Sequence, residues 1–80
     1  MRIRVLLFGP IADAVGRSEA DLDLDDGARA GDVAPALERD HPDLVTGGAF
    51  ALAVNAAYAS AEQELVDGDE VALIPPVSGG

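Results

Sequence analysis

The chain closes on Ile74-Pro75-Pro76-Val77-Ser78-Gly79-Gly80, and this ending is the grouping whose residue types suit covalent chemistry. The α-carboxylate of Gly80 is the candidate reactive group. Glycine has no Cβ to crowd attack on its acyl carbon. Ser78, Gly79 and Gly80 are small enough to thread a channel closed to larger side chains. A free α-carboxylate is ionised at neutral pH and is a poor electrophile. It therefore needs activation, most simply as an acyl-adenylate made from ATP, after which a sulfur donor would leave a thiocarboxylate. Pro75 and Pro76 remove two backbone donors, end a strand and stiffen the exit. The stretch from Pro76 to Gly80 has a reach of roughly 14 Å.

The rest of the composition narrows the chemistry. Eighty residues make one small domain, and 49% hydrophobic residues make it globular. There is room for one core but not for a deep cofactor pocket. The absence of cysteine excludes a disulfide framework, a thiolate metal site, a cysteine nucleophile and a side-chain persulfide. His41 is the single histidine, so a multi-histidine metal site is excluded and no metal is expected. Fifteen acids against five bases give a net charge of −10. Such a surface repels nucleic-acid backbones and anionic membranes and favours a partner with a basic face. All five bases are arginine. Lysine amines are the natural off-target of an activated C-terminus, so the chain cannot build lysine-linked chains on itself. No apolar run approaches the ~20 residues of a membrane span. The first strand pattern begins at once with no secretory leader, so a cytoplasmic protein is expected.

The elements that must carry this ending follow from periodicity. Arg2–Phe8 reads as a central strand, with Ile3, Val5 and Leu7 on one face and Leu6 and Phe8 apolar on the other. Its end is expected to be covered on both sides. Pro10 opens a short helix through Ile11, Ala14 and Val15, and Gly16 ends it. Glu19–Asp25 alternates strictly, which predicts a half-buried strand whose acidic face discourages stray pairing. Asp26-Gly27 is a turn. Val33–Asp40 is the main helix, with Asp32 as N-cap, Val33, Ala36 and Leu37 facing the core, and His41-Pro42 as the stop. Phe50–Asn55 is a strand and Asn55-Ala56 a turn before Tyr58. Residues 59–64 are expected to form a loop, and Leu65 a core plug. Asp67-Gly68 is a turn, and Val71–Ile74 a second strand covered on both faces. Placing the two central strands side by side gives an α+β roll, the ubiquitin-like β-grasp, in which a mixed sheet is crossed by one main helix. The expected division is residues 1–76 as the β-grasp domain and 77–80 as a flexible Gly-Gly tail.

The stretch from Asp67 through Val71-Ala72-Leu73-Ile74 to Gly80 resembles the signature ending of the small subunits of molybdopterin synthase, the β-grasp sulfur carriers. Val5-Leu6-Leu7-Phe8-Gly9 resembles that family's first strand and Ala53-Val54-Asn55 its middle strand. The resemblance implies a role in molybdenum cofactor biosynthesis as a sulfur carrier with no catalytic side chains of its own. An E1-like enzyme would adenylate Gly80 with ATP, and a sulfurtransferase system would convert it to a thiocarboxylate. The tail would then enter the large subunit of a heterotetrameric synthase and supply sulfur for the molybdopterin dithiolene. Gly79 and Gly80 would carry the chemistry, and no cofactor would be bound by this chain. Phe8, Leu73, Pro75, Pro76, Val77 and Ser78 would meet partners, with Phe8 and Leu73 as the apolar docking patch. Two departures are Ala12-Asp13, where the family often has Arg-Glu, and Leu73, where an aromatic residue is common. Other readings are a sulfur carrier for another pathway such as thiamine, a ubiquitin-like protein modifier, or a passive β-grasp interaction domain.

Overall fold

The computed structural model describes residues 1–42 and 50–75. Strand β1 spans Arg2–Leu7, helix α1 Gly9–Val15, β2 Glu19–Asp23, α2 Val33–Asp40, β3 Ala51–Val54, β4 Ala57–Ala59 and β5 Glu70–Ile74. The strands form one mixed sheet in the order β2-β1-β5-β3-β4. β1 and β5 are the parallel central pair, with Arg4 beside Glu70 and Leu7 beside Leu73. β2 pairs antiparallel to β1, and β3 antiparallel to both β5 and β4. This is the β-grasp arrangement expected from the pattern.

One sheet face is packed and the other is open. Ile3, Val5 and Leu7 of β1, Ala20 and Leu22 of β2, Val54 of β3 and Val71 and Leu73 of β5 pack with Val33, Ala34, Ala36 and Leu37 of α2 and with Ile11 of α1. Leu65 closes this core at 4% exposure, as expected for a plug. The helix bounds match the periodicity, but the cap differs. Asp32 stands in helical conformation and makes no side-chain cap to α2. Its carboxylate accepts from the Arg29 N–H at 2.8 Å, closing the short 3-10 turn Ala30–Asp32 that feeds α2. The preceding turn thus takes the carboxylate before the helix can.

The expected double cover of the central strands does not occur. Leu6 and Ile74 are half-buried and Phe8 is 45% exposed on the face away from α2. An eight-residue helix covers one face of the sheet, and the apolar residues on the other face are left to shield one another. Ala72 is 9% exposed on that face because its neighbours in β1 and β3 flank it.

The base of β5 is held by side chains as well as by the ladder. Asn55 takes a positive φ of 50° in the two-residue turn between β3 and β4, and Ala56 follows at 69°. Its Nδ2 donates to the Asp69 carboxylate at 3.0 Å, and its Oδ1 accepts from the Glu70 N–H at 3.1 Å. The second Asp69 oxygen accepts from the Val66 N–H at 2.9 Å. Asp69 is 9% exposed, and its removal breaks two charge-assisted hydrogen bonds at the edge of the core. Asp69→Ala is expected to cost about 1–3 kcal/mol of unfolding free energy. Urea unfolding monitored by circular dichroism measures this, and an unchanged midpoint would show that the lock carries no stability.

Candidate functional site

The predicted reactive ending is delivered by β5. Pro76, Val77, Ser78, Gly79 and Gly80 lie outside the described residues. Their base is described: Ile74 pairs with Ala51 of β3, and Pro75 follows it without a ladder partner. Pro75 packs against Gly9, where its Cγ lies 3.4 Å from the position a Cβ would take. Gly9 has a φ of +56°, so a side chain there is strained by its backbone and meets the proline ring as well. The strand end, the start of α1 and the base of the tail are therefore built against each other.

Register lays out the open face in rows. Glu19, Leu6, Ala72, Ala53 and Tyr58 stand side by side across the five strands. One step toward the tail lie Phe8 and the pair Ile74 and Ala51. One step away lie Asp21, Arg4 and Glu70, and then Asp23 and Arg2. The face is thus divided along the strands. Its tail-side half is mostly apolar and forms a shallow groove of about 300 Å³ lined by Leu6, Phe8, Ala53, Tyr58, Ala72 and Ile74, with Ala56 and the acidic Glu70 completing the lining. Its far half is charged, with Arg2 3.9 Å from Asp21 and 3.8 Å from Asp23. Tyr58 is 81% exposed at the groove edge. A solvent-facing apolar surface rimmed by charge is the ordinary form of a docking site.

The two side chains expected in the docking patch lie on opposite faces of the sheet. Phe8 lines the groove, whereas Leu73 is 0% exposed and sits in the core between the sheet and the helices. Side chains alternate along a strand, so Ala72 and Ile74 occupy the open face and Leu73 the packed one. Leu6, Ala53, Tyr58, Ala72 and Ile74 were missed as groove residues. The signal for them was available: a second apolar face on the central strands with only one main helix in the sequence to cover the sheet. Among the described residues, no group of three or more His, Cys, Asp or Glu side chains is placed to hold a metal ion. No helix among them is long and apolar enough to cross a membrane.

Central strand β5 ends at Ile74 on an open apolar face and leads through Pro75 into the Pro-Val-Ser-Gly-Gly sequence. The ThiS family model matches residues 5–80, a span that runs from β1 through the last glycine. The chain belongs to the ThiS family. It is 37% identical over 83 aligned positions to a molybdopterin synthase sulfur carrier subunit from Chlamydomonas reinhardtii, with all of both chains covered. Among solved structures, small archaeal modifier protein 1 from Haloferax volcanii superposes with a TM-score of 0.83 at 28% identity, covering 95% of this chain and 98% of that one. The complex of subunits 1 and 2 of the molybdopterin-converting factor from Helicobacter pylori contains a chain similar to this one over all of both, at 28% identity and a TM-score of 0.67. Within this family's ubiquitin-like β-grasp fold, the matched span contains both the groove strands and the ending.

Proposed function

We propose that this chain is the sulfur carrier subunit of a molybdopterin synthase. The observation that supports the reading is the end of β5: a central strand brings Ile74, at the base of the ending, into the lining of the apolar groove. The relatives support the choice of pathway, since one bears that name along its whole length and another is a two-subunit molybdopterin-converting complex. The large subunit would seat on the groove through Phe8, Leu6 and Tyr58, and the tail from Pro75 would pass into it. A net charge of −10 favours a large subunit and an activating enzyme with basic rims, which steer the encounter.

The chemistry resides in Gly80. A carboxylate oxygen attacks the α-phosphorus of ATP and pyrophosphate leaves, giving the acyl-adenylate. Hydrosulfide then attacks the acyl carbon and AMP leaves with the bonding pair. The product is a thiocarboxylate, whose sulfur is the cargo for the dithiolene. The E1-like enzyme supplies the ATP site, a sulfurtransferase supplies the sulfur in the cell, and the cytoplasm is the expected location. This chain supplies a rigid body, a groove and an unhindered acyl carbon.

The test is an intact mass after incubation with ATP, an E1-like activating enzyme and sulfide. The expected gain is that of one sulfur replacing one oxygen, confined to the C-terminal peptide. An unchanged mass with an enzyme that charges a known carrier would defeat the reading. A second reading, attachment to other proteins as a modifier, draws on the Haloferax likeness. It requires Gly-Gly remnants on the lysines of cellular proteins, which peptide mass spectrometry detects.

A further inference from the structure

The parallel ladder between β1 and β5 stops at Leu7 and Leu73, which stand side by side and are both buried. Gly9 and Pro75 follow them by two residues each, so the same register would set these two beside one another. The ladder does not continue to them. Phe8 is still extended, but Gly9 takes a φ of +56° and turns the chain into α1. Pro75 has no N–H to donate. A packing contact takes the place of the hydrogen bonds, and a bare backbone suits it. A Cβ on Gly9 would lie 3.4 Å from Pro75 Cγ, just inside the ordinary separation of carbon atoms in contact. At this φ the Cβ of an L-residue also crowds its own backbone.

Both sides of the contact are anchored. The Leu7 N–H donates to the Ser18 carbonyl at 2.9 Å, and Ile11 of α1 is buried in the core. Ile74, just before Pro75, pairs with Ala51 of β3. The proline ring fixes its own φ, and a proline next in sequence biases Pro75 toward an extended ψ. Pro75 therefore keeps little freedom once its ring is seated. The contact also adjoins the groove. Phe8 directly precedes Gly9, Ile74 directly precedes Pro75, and both line the groove. A partner seated on Phe8 and Ile74 holds the residues next to each side of the contact.

We infer that Gly9 is a positioning residue: its bare backbone seats Pro75 and fixes, relative to the groove, the point from which the ending leaves the sheet. The inference rests on the sulfur-carrier reading, since the ending is what is positioned. Gly9 touches no reacting atom and acts through Pro75. With the seat intact, a partner docked on the groove meets the start of the ending in one place. Loss of the seat leaves the groove and the docking as they were and slows the transfer.

The experiment is a double-mutant cycle on the full chain, with the native protein, Gly9→Asn, Pro75→Ala and the double variant. Asparagine tolerates a positive φ better than most side chains, so the turn is kept while a Cβ crowds the proline. Each chain is charged as a thiocarboxylate by sulfide cleavage of an intein thioester, without an activating enzyme. Calorimetric titration with the large subunit measures docking. Intact mass in a single turnover, with the large subunit saturating and its sulfur acceptor bound, measures the loss of sulfur. Gly9→Asn is expected to slow the transfer about tenfold to a hundredfold, the scale of a misplacement of about 1 Å. Its dissociation constant should stay within about threefold of native. In the Pro75→Ala background the same substitution should change the rate by less than about twofold, because the ring it displaces is gone. A merely structural role would cost the same in both backgrounds. In the native chain, nuclear Overhauser contacts are expected between the Gly9 α-protons and the Pro75 ring. Their absence would overturn the inference whether or not Gly9→Asn folds. Equal rates for native and Gly9→Asn, or equal slowing in both backgrounds, would overturn it and leave the sulfur-carrier reading standing. A native chain that passes no sulfur to a large subunit active with another carrier would end that reading, and the inference with it.

Discussion

Deleting Gly79 and Gly80 is expected to abolish thiocarboxylate formation and sulfur transfer while leaving the domain as stable as before. The physical basis is a separation of parts. The buried hydrophobic residues of the described structure run from Ile3 to Leu73, and the locks at Asp69 and Asn55 lie at the base of β5. None of these interactions involves the two glycines, so the unfolding free energy should move by less than about 0.5 kcal/mol. The chemistry should be lost altogether. The new terminus would be Ser78, whose acyl carbon is flanked by a Cα that bears a Cβ, and which ends two residues short of the original reach, or roughly 7 Å. Intact mass after the activation reaction and release of sulfur to the large subunit are the readouts. A thermal melt by circular dichroism is the control. Wild-type sulfur transfer by the truncated chain would place the reactive group elsewhere and end the proposal.

Much of the body was legible because single residues had few alternatives. Glu19–Asp23 could only be a strand with one wet face, since every second residue is an acid. Val33–Asp40 ends where His41 precedes Pro42 and leaves the helical region. The Asn55-Ala56 turn was readable, but strand β4 after it was not, because Ala57-Tyr58-Ala59 has too few residues to show a period. The Asp32 cap was misassigned because a side chain three residues from Arg29 serves the nearer turn first.

The instructive misreading is the double cover. Apolar residues on both faces of β1 and β5 were taken as buried on both, which is the ordinary meaning of that pattern. Here the second apolar face is the groove. A sequence that carries more strand hydrophobicity than its helices can cover leaves an apolar face open. The same misreading put Leu73 in the patch. A run of four apolar residues does not reveal which parity faces the helix, and only the register with β1 settles it. The ending was legible for a different reason. Its meaning lies in what its residues lack, namely bulk at the glycines and backbone donors at the prolines.

Phe8 and Leu73 together provide a test in which stability and affinity part company. Leu73 is 0% exposed, and truncating a buried leucine to alanine costs about 2–5 kcal/mol. A chain of this length has roughly 4–12 kcal/mol of total stability. Leu73→Ala is therefore expected to lower the melting midpoint by tens of degrees at about 4–8 °C per kcal/mol. Where it remains folded, its open face is unchanged, and its affinity for the proposed large subunit should change little. Phe8 is 45% exposed at the groove. Phe8→Asp removes limited packing from the free chain and should shift its stability by about 1 kcal/mol or less. In the complex it replaces an aromatic anchor with a charge that must be desolvated, a loss of about 2–4 kcal/mol. That corresponds to a dissociation constant weaker by roughly 30- to 1,000-fold. Calorimetric titration and a thermal melt on the same samples read both quantities. If Phe8→Asp melts as Leu73→Ala is expected to, or binds as wild type does, the groove is a structural surface and the partner docks elsewhere.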